Sequence, residues 1–279
     1  MTQTPLSELN IPLPPTQWEL PCDDGEPMET QRHQDQMTML IHSLYPWIEQ
    51  REDGYAGGNM FVYFSLEQVR NQDFKGPDFF AVLGVPKGER LSWVVWEEGK
   101  GPDVIIELLS SSTATVDKTE KKRIYQDQLR VPEYYWFDPF NPEDWEGFTL
   151  QNGEYQPIER EGDRMVSQTL GLSLVRWQGR YRDADTTWLR WATLEGDLFL
   201  LPQEQVEWER GRAEEERNRA EEERNRAEEE RNRAEEERNR AEDAIANLQN
   251  CATQLLQTGM TPEQVAAMTG LSLEQVSEL

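Results

Sequence analysis

Glu107 stands inside one of the most apolar runs of the chain, Asp103-Val-Ile-Ile-Glu-Leu-Leu109. Five aliphatic residues around it give the run the composition and length of a buried strand. An ionised carboxylate left alone there costs on the order of several kcal/mol, so a cation has to compensate it. Alternation along the strand puts Asp103 and Glu107 on one face and Val104, Ile106 and Leu108 on the other. A helix follows from Asp117, with an apolar stripe through Ile124, Tyr125 and Leu129. Lys121 lies one turn before Tyr125 on that same side. Lys118 and Lys122 are rotated by about 100° and face solvent. The run Glu133-Tyr-Tyr-Trp-Phe-Asp138 is a second strand. Strand, helix and strand together imply parallel pairing through a right-handed crossover.

The core must be built before residue 209, because the ten Trp, nine Phe and eight Tyr of the 279-residue chain all precede it. Length alone allows one or two domains. Two cysteines, Cys22 and Cys251, give neither a disulfide framework nor a CxxC metal site, and fit a reducing cytoplasm. The proline-rich start has no basic and apolar signal pattern, and no run approaches the ~20 apolar residues of a membrane span. A net charge of −26 argues against broad, nonspecific binding to nucleic acid, which draws its affinity from Lys and Arg. A nucleic-acid role then requires a local patch or metal ions.

Four divisions follow along the chain. Residues 1–24 form an irregular arm, and residues 25–202 an α/β (α+β) domain with a mixed central sheet. Within it, Glu29–Glu49 has helical spacing through His33, Met37, Leu40, Leu44 and Trp47. Strands are expected over Asn59–Phe64 and Pro77–Leu83. Asn152-Gly153 marks a type I′ hairpin, and strands at 170–177 and 188–194 complete the domain. Residues 203–257 are a charged helix carrying four copies of AEEERNR over 213–240. One alanine per copy falls short of a coiled-coil seam, whereas pairs such as Glu215–Arg219 support a solvated helix by ~0.2–0.5 kcal/mol each. Two readings stay open: a spacer helix, or a weak homodimeric coiled coil through residues 206–257 seeded by Val206, Trp208, Ile245, Leu248, Leu255 and Leu256. Residues 258–279 hold two short helices opened by capping boxes at Thr261 and Ser272. They resemble a helix-turn-helix, but 241–279 lacks Lys and Arg altogether, which excludes a phosphate-contacting DNA reader.

Asp78, Asp103, Glu107 and Lys121 are the candidate chemical groups. Hard divalent cations take one or two carboxylates together with substrate phosphate and water, and a nearby ammonium can orient that water. Such a set suffices for metal-dependent phosphodiester hydrolysis. The blander alternatives are also open: Asp78 and Asp103 as loop or strand-edge residues, and Glu107–Lys121 as a structural ion pair. His33 reads as a core-facing, hydrogen-bonded histidine rather than a ligand, and Asp138, before Pro139, as a strand-end cap.

GPDFFAVLG, GPDVIIELLSSST and DKTEKKRIYQDQLRVPEYYWFDP occur in this order. In these motifs the chain resembles a bacterial family assigned as restriction endonucleases within the PD-(D/E)XK nuclease superfamily, over roughly residues 25–202. The resemblance implies a restriction-endonuclease-like core and Mg²⁺-dependent hydrolysis of DNA. On it, Asp78 matches the metal-binding aspartate and Glu107 the acidic residue of the E-x-K strand, so the two would hold the metal. Leu109 stands where the superfamily usually has lysine. Lys121 on the following helix matches a relocated lysine, while Asp103 matches an auxiliary position. Tyr125 matches too. The alternative function is an inactive nuclease-fold scaffold, or interaction protein, that assembles through its C-terminal helix.

Overall fold

The computed structural model describes residues 13–22, 28–71 and 75–279. Most of the expected N-terminal arm, residues 1–12 and 23–24, lies outside the described residues. The chain divides into two compact units, one ending at Gln205 and the other spanning Val206–Leu279.

The first unit is built around a six-stranded sheet. Its strands are β1 (Tyr55–Gly57), β3 (Phe79–Val82), β5 (Val104–Leu108), β6 (Glu133–Phe137), β7 (Trp145–Gln151) and β8 (Glu154–Pro157), adjacent in that order. β5 and β6 pair in parallel and their neighbours antiparallel, so the sheet is mixed. The turn between β7 and β8 has positive φ at both Asn152 and Gly153, as a type I′ hairpin requires. β2 (Val62–Tyr63) and β4 (Trp93–Val94) form a separate parallel pair. The expected strand over Asn59–Phe64 is thus only two residues long.

A third sheet, β11–β10–β9, consists of β9 (Arg164–Ser167), β10 (Leu172–Tyr181) and β11 (Ala184–Ala192). The strands expected at 170–177 and 188–194 belong to this meander and not to the central sheet. It covers one face of the central sheet together with α1 (Gln31–Glu49): Leu40 and Leu44 meet Phe79, Ile106, Leu174, Leu189 and Trp191. Polar groups fix the docking. Gln36 donates to the Leu189 carbonyl at 2.8 Å and accepts from its N–H at 2.9 Å, as a neighbouring strand would. Glu133, buried on β6, accepts from Tyr135, Ser167 and the Thr169 N–H. Its charge is satisfied by hydrogen bonds that tie the two sheets together.

The other face is covered by α4, residues 114–129, through Ile124, Tyr125 and Leu129. α4 changes winding three times. Ala114–Val116 and Lys122–Ile124 are α-helical, while Asp117–Lys121 and Tyr125–Leu129 are π-helical, with hydrogen bonds reaching back five residues. Shorter helices α2 (Leu66–Asn71) and α3 (Val95–Glu98) complete the unit.

A long helix, α5 (Pro202–Gln257), contributes residues 206–257 to the second unit. Its AEEERNR array is exposed throughout. Ala252, Leu255 and Leu256 near its end pack with Val265 and Val276 from α6 (Pro262–Thr269) and α7 (Leu273–Ser277). Both capping boxes form, at Thr261 and Ser272. Among the described residues, no helix is long and apolar enough to cross a membrane.

Candidate active site

Glu107 is the fourth residue of β5 and is wholly buried. Alternation turns it toward α4, between Ile105 and Leu109, which pack with Tyr125. β3 runs antiparallel to β5 with Phe79 opposite Ile106. Asp78, one residue before β3, therefore arrives beside the end of β5, where its Oδ2 accepts the Leu108 N–H at 2.7 Å. Gly58 packs directly under this position. A Cβ there would overlap the Asp78 carbonyl oxygen and press on Met37, so only glycine lets the two backbones approach.

α4 supplies the remaining groups at four-residue steps. Lys121 Nζ lies 3.0 Å from Glu107 Oε2 and 2.8 Å from Asp117 Oδ1. Tyr125 donates its hydroxyl to Glu107 Oε1 at 2.6 Å. Asp117 is itself buried, and its carbonyl accepts both the Lys122 N–H, five residues on, and the Tyr134 hydroxyl at 2.9 Å. π-helical turns of this kind are uncommon and often occur at functional sites.

The electrostatics follow from three carboxylates sharing one ammonium. Burial, and then the charge of Glu107, push the Asp78 carboxyl well above its ordinary range. Asp117 is raised by the same two causes. For Lys121, burial alone would lower the pKa, but Glu107, Asp117 and Asp78 outweigh it and hold the ammonium above the usual lysine range. Tyr125 is raised by burial and by Glu107, so it stays a protonated donor. Lys121 leaves 19 % of its side chain exposed, and the cluster meets solvent there.

Carboxyl groups outnumber the one ammonium in this cluster, and all the acceptors are oxygens, a donor set suited to a hard divalent cation. Among the described residues no group of three or more His, Cys, Asp or Glu is arranged to hold a metal. A Mg²⁺ site needs only one or two carboxylates, the rest being water and phosphate. Asp78 and Glu107 could supply those two.

Of the four residues expected from sequence, the structure brings together Asp78, Glu107 and Lys121 and leaves Asp103 apart. Asp103 Oδ2 accepts from the Leu83 N–H and from Lys100 Nζ, each at 2.7 Å, and Lys100 also holds the Leu83 carbonyl at 2.8 Å. Alternation does put Asp103 on the Glu107 face, but four residues of strand separate their Cα atoms by about 13 Å. His33 is buried, with one ring nitrogen 2.9 Å from Thr30 Oγ1 and the other 3.0 Å from the Leu109 carbonyl. It closes the end of β5 as a wall. Asp138 caps the loop after β6 by accepting the N–H groups of Phe140 and Asn141. Asp117 was not anticipated, although its four-residue spacing to Lys121 was a usable signal.

Residues 8–178 match the model of the family Uma2, described as "Putative restriction endonuclease". Among solved structures, the chain is similar to one described as a "putative nuclease belonging to DUF820" from Anabaena variabilis. The identity is 15 %, covering 56 % of this chain and 91 % of that one, with a TM-score of 0.40. No curated protein matches the chain. Since the family match spans more than half of its length, the chain belongs to the Uma2 family.

Proposed function

We propose that the chain is a Mg²⁺-dependent endonuclease that hydrolyses DNA phosphodiester bonds. One observation carries the reading: Asp78, fully buried Glu107 and Lys121 meet at one end of β5. Asp78 and Glu107 would hold the ion. When bound, Mg²⁺ polarises a phosphodiester and lowers the pKa of a bound water.

The protein groups divide the remaining work. Tyr125 fixes one oxygen of Glu107 and Lys121 the other, so the carboxylate is oriented before substrate arrives. Asp117 holds Lys121 from the opposite side. An ammonium has three N–H donors, so beyond these two contacts Lys121 can present one to the attacking water or to a phosphate oxygen. Its raised pKa keeps it charged, which suits it to orienting water and neutralising charge on the phosphate rather than to taking a proton. Asp103 has no part in this scheme and serves as a hydrogen-bonded brace for the chain at Leu83.

Cleavage of supercoiled plasmid with Mg²⁺, beside Glu107→Ala and Lys121→Ala, tests the assignment. Both variants are expected to lose activity by at least about 100-fold, the scale of a positioned acid–base or electrostatic group. Equal activity in all three proteins would sink it.

A second reading, compatible with the first, is assembly as a homodimer through residues 206–257. It rests on Val206, Trp208, Ile245 and Leu248, large apolar residues that stay exposed at the two ends of the charged array. Sedimentation equilibrium of the whole chain is expected to show a dimer that Ile245→Asp/Leu248→Asp dissociates. A monomer at every concentration removes the reading.

A further inference from the structure

Past Glu107, β5 runs into a cavity of about 460 Å³. Its walls include Ser110 and Ser112 after β5, His33 of α1, Glu29 before it, and Asp138 and Phe140 after β6. The most telling of these is Phe140, whose residue surface is 56 % exposed. Exposed aromatic rings are usually mobile or covered by a partner, but this one is braced. Asp138 Oδ1 accepts the N–H groups of Phe140 at 2.7 Å and of Asn141 at 3.0 Å, closing the loop into a rigid turn. The Arg32 guanidinium lies 4.3 Å from the ring centroid and donates to the Pro139 carbonyl at 3.5 Å. The His33 ring, locked by its two hydrogen bonds, stands 5.7 Å from Phe140 at 44°.

A fixed aromatic ring with a guanidinium over one face, at the rim of a hydroxyl-lined cavity, is equipment with which proteins hold single-stranded nucleic acid. The face away from Arg32 is the one left to stack on a base, and the cation offsets the backbone charge. A base inside a duplex has both faces covered, so only an unpaired one can use the platform. The carboxylates of Glu29 and Asp138 are acceptors alone. They match the exocyclic amino groups of cytosine or adenine, and thymine has none.

We propose that this cavity takes one unpaired nucleobase of the strand being cut, stacked on Phe140, with a preference for amino-bearing bases over thymine. The inference deepens the nuclease reading and rests on it, because the cavity begins two residues after Glu107. It makes the substrate a strand with a splayed base (a single strand, a junction or a frayed end) in place of a uniform duplex.

The test uses the whole chain in EDTA, so that no strand is cut. The probes are short single-stranded oligonucleotides carrying 2-aminopurine in a cytosine or a thymine context, and the matching duplex. The wild type is expected to change the fluorescence of the single-stranded probe, more strongly in the cytosine context, and to leave that of the duplex unchanged. Phe140→Ala should weaken binding about tenfold and abolish the change, the scale of one lost stacking contact. Phe140→Trp should preserve both, and an unchanged melting temperature in both variants excludes a folding defect. Equal binding by wild type and Phe140→Ala, or no binding of single strands at all, overturns the proposal. Plasmid cleavage separates the two ideas. A chain that cuts DNA but treats Phe140→Ala as wild type loses only the base pocket. A chain that shows the Phe140-dependent fluorescence change but never cuts loses only the nuclease reading.

Discussion

Lys121 and Asp117 are joined at 2.8 Å across one π-helical turn of α4, with the lysine's other contact on Glu107 at 3.0 Å. The ammonium is thus held from two sides, and Asp117 acts on it as a positioning residue. Asp117→Asn, whose amide oxygen can still accept a hydrogen bond, is expected to lower kcat about tenfold with KM unchanged, and Asp117→Ala to lower it further. Steady-state cleavage kinetics check this. A rise in KM at constant kcat would contradict the positioning role.

The raised carboxyl of Asp78 has a consequence for stability. An acid whose folded pKa lies above its unfolded value, here 3.8, contributes stability in full below that value. The contribution is lost as pH rises through the higher folded pKa. In the metal-free protein, wild type should therefore lose stability relative to Asp78→Asn as pH climbs from about 4 toward neutrality. Mg²⁺ should restore stability to the wild type alone. Urea denaturation at several pH values, with EDTA or Mg²⁺, gives the comparison. If the stability difference between wild type and Asp78→Asn does not change over that pH range, the buried-carboxylate account is wrong.

Gly58 offers a probe that leaves every charged group in place. Because a Cβ there overlaps the Asp78 carbonyl oxygen, Gly58→Ala must displace the strand entry. Overpacking of this kind costs about 1–3 kcal/mol. Mg²⁺ affinity by calorimetry and plasmid cleavage should both fall, and unaltered Mg²⁺ binding would show that Asp78 holds no metal.

Asp103 separates fold from chemistry. Its loss removes acceptors for the Leu83 N–H and for Lys100, so Asp103→Ala should destabilise the unit by about 1–3 kcal/mol. Cleavage measured well below the melting temperature should stay within about twofold of wild type, since nothing that touches Glu107 changes. A loss comparable to that of Glu107→Ala would return Asp103 to the site.

What the sequence made legible was whatever depends on local periodicity. Glu107 in its apolar strand, Lys121 on the apolar side of its helix and the parallel β5–β6 pair all follow from spacing within about thirty residues. Asp78 is legible as a carboxylate at a strand start, but its approach to Glu107 is not, because it depends on strand pairing between distant segments. The distance of Asp103 from Glu107 is not legible either, because alternation fixes the face of a strand but not the position along it. Asp117 is not legible as a member of the site because the sequence pattern makes it the first residue of the helix. The helix in fact begins three residues earlier, at Ala114, which puts Asp117 inside it. Nor could spacing separate the β9–β11 meander from the central sheet, since each strand's local pattern is the same in either sheet.

The wide turns of α4 also shape how this site can change over time. A π-helical turn is in effect an α-helix carrying one surplus residue. Deleting a single residue from Asp117–Lys121 would let the segment relax to ordinary winding, with its apolar anchors Ile124 and Tyr125 free to redock. With the residue taken from between them, Lys121 would keep its four-residue spacing to Tyr125, so both would still face Glu107, while Asp117 would stand three residues from Lys121 instead of four and lose its wide-turn bond from the Lys122 N–H. The surplus residue thus sets the reach of the ammonium's second support, and its loss would alter that support without unseating Glu107, Lys121 or Tyr125.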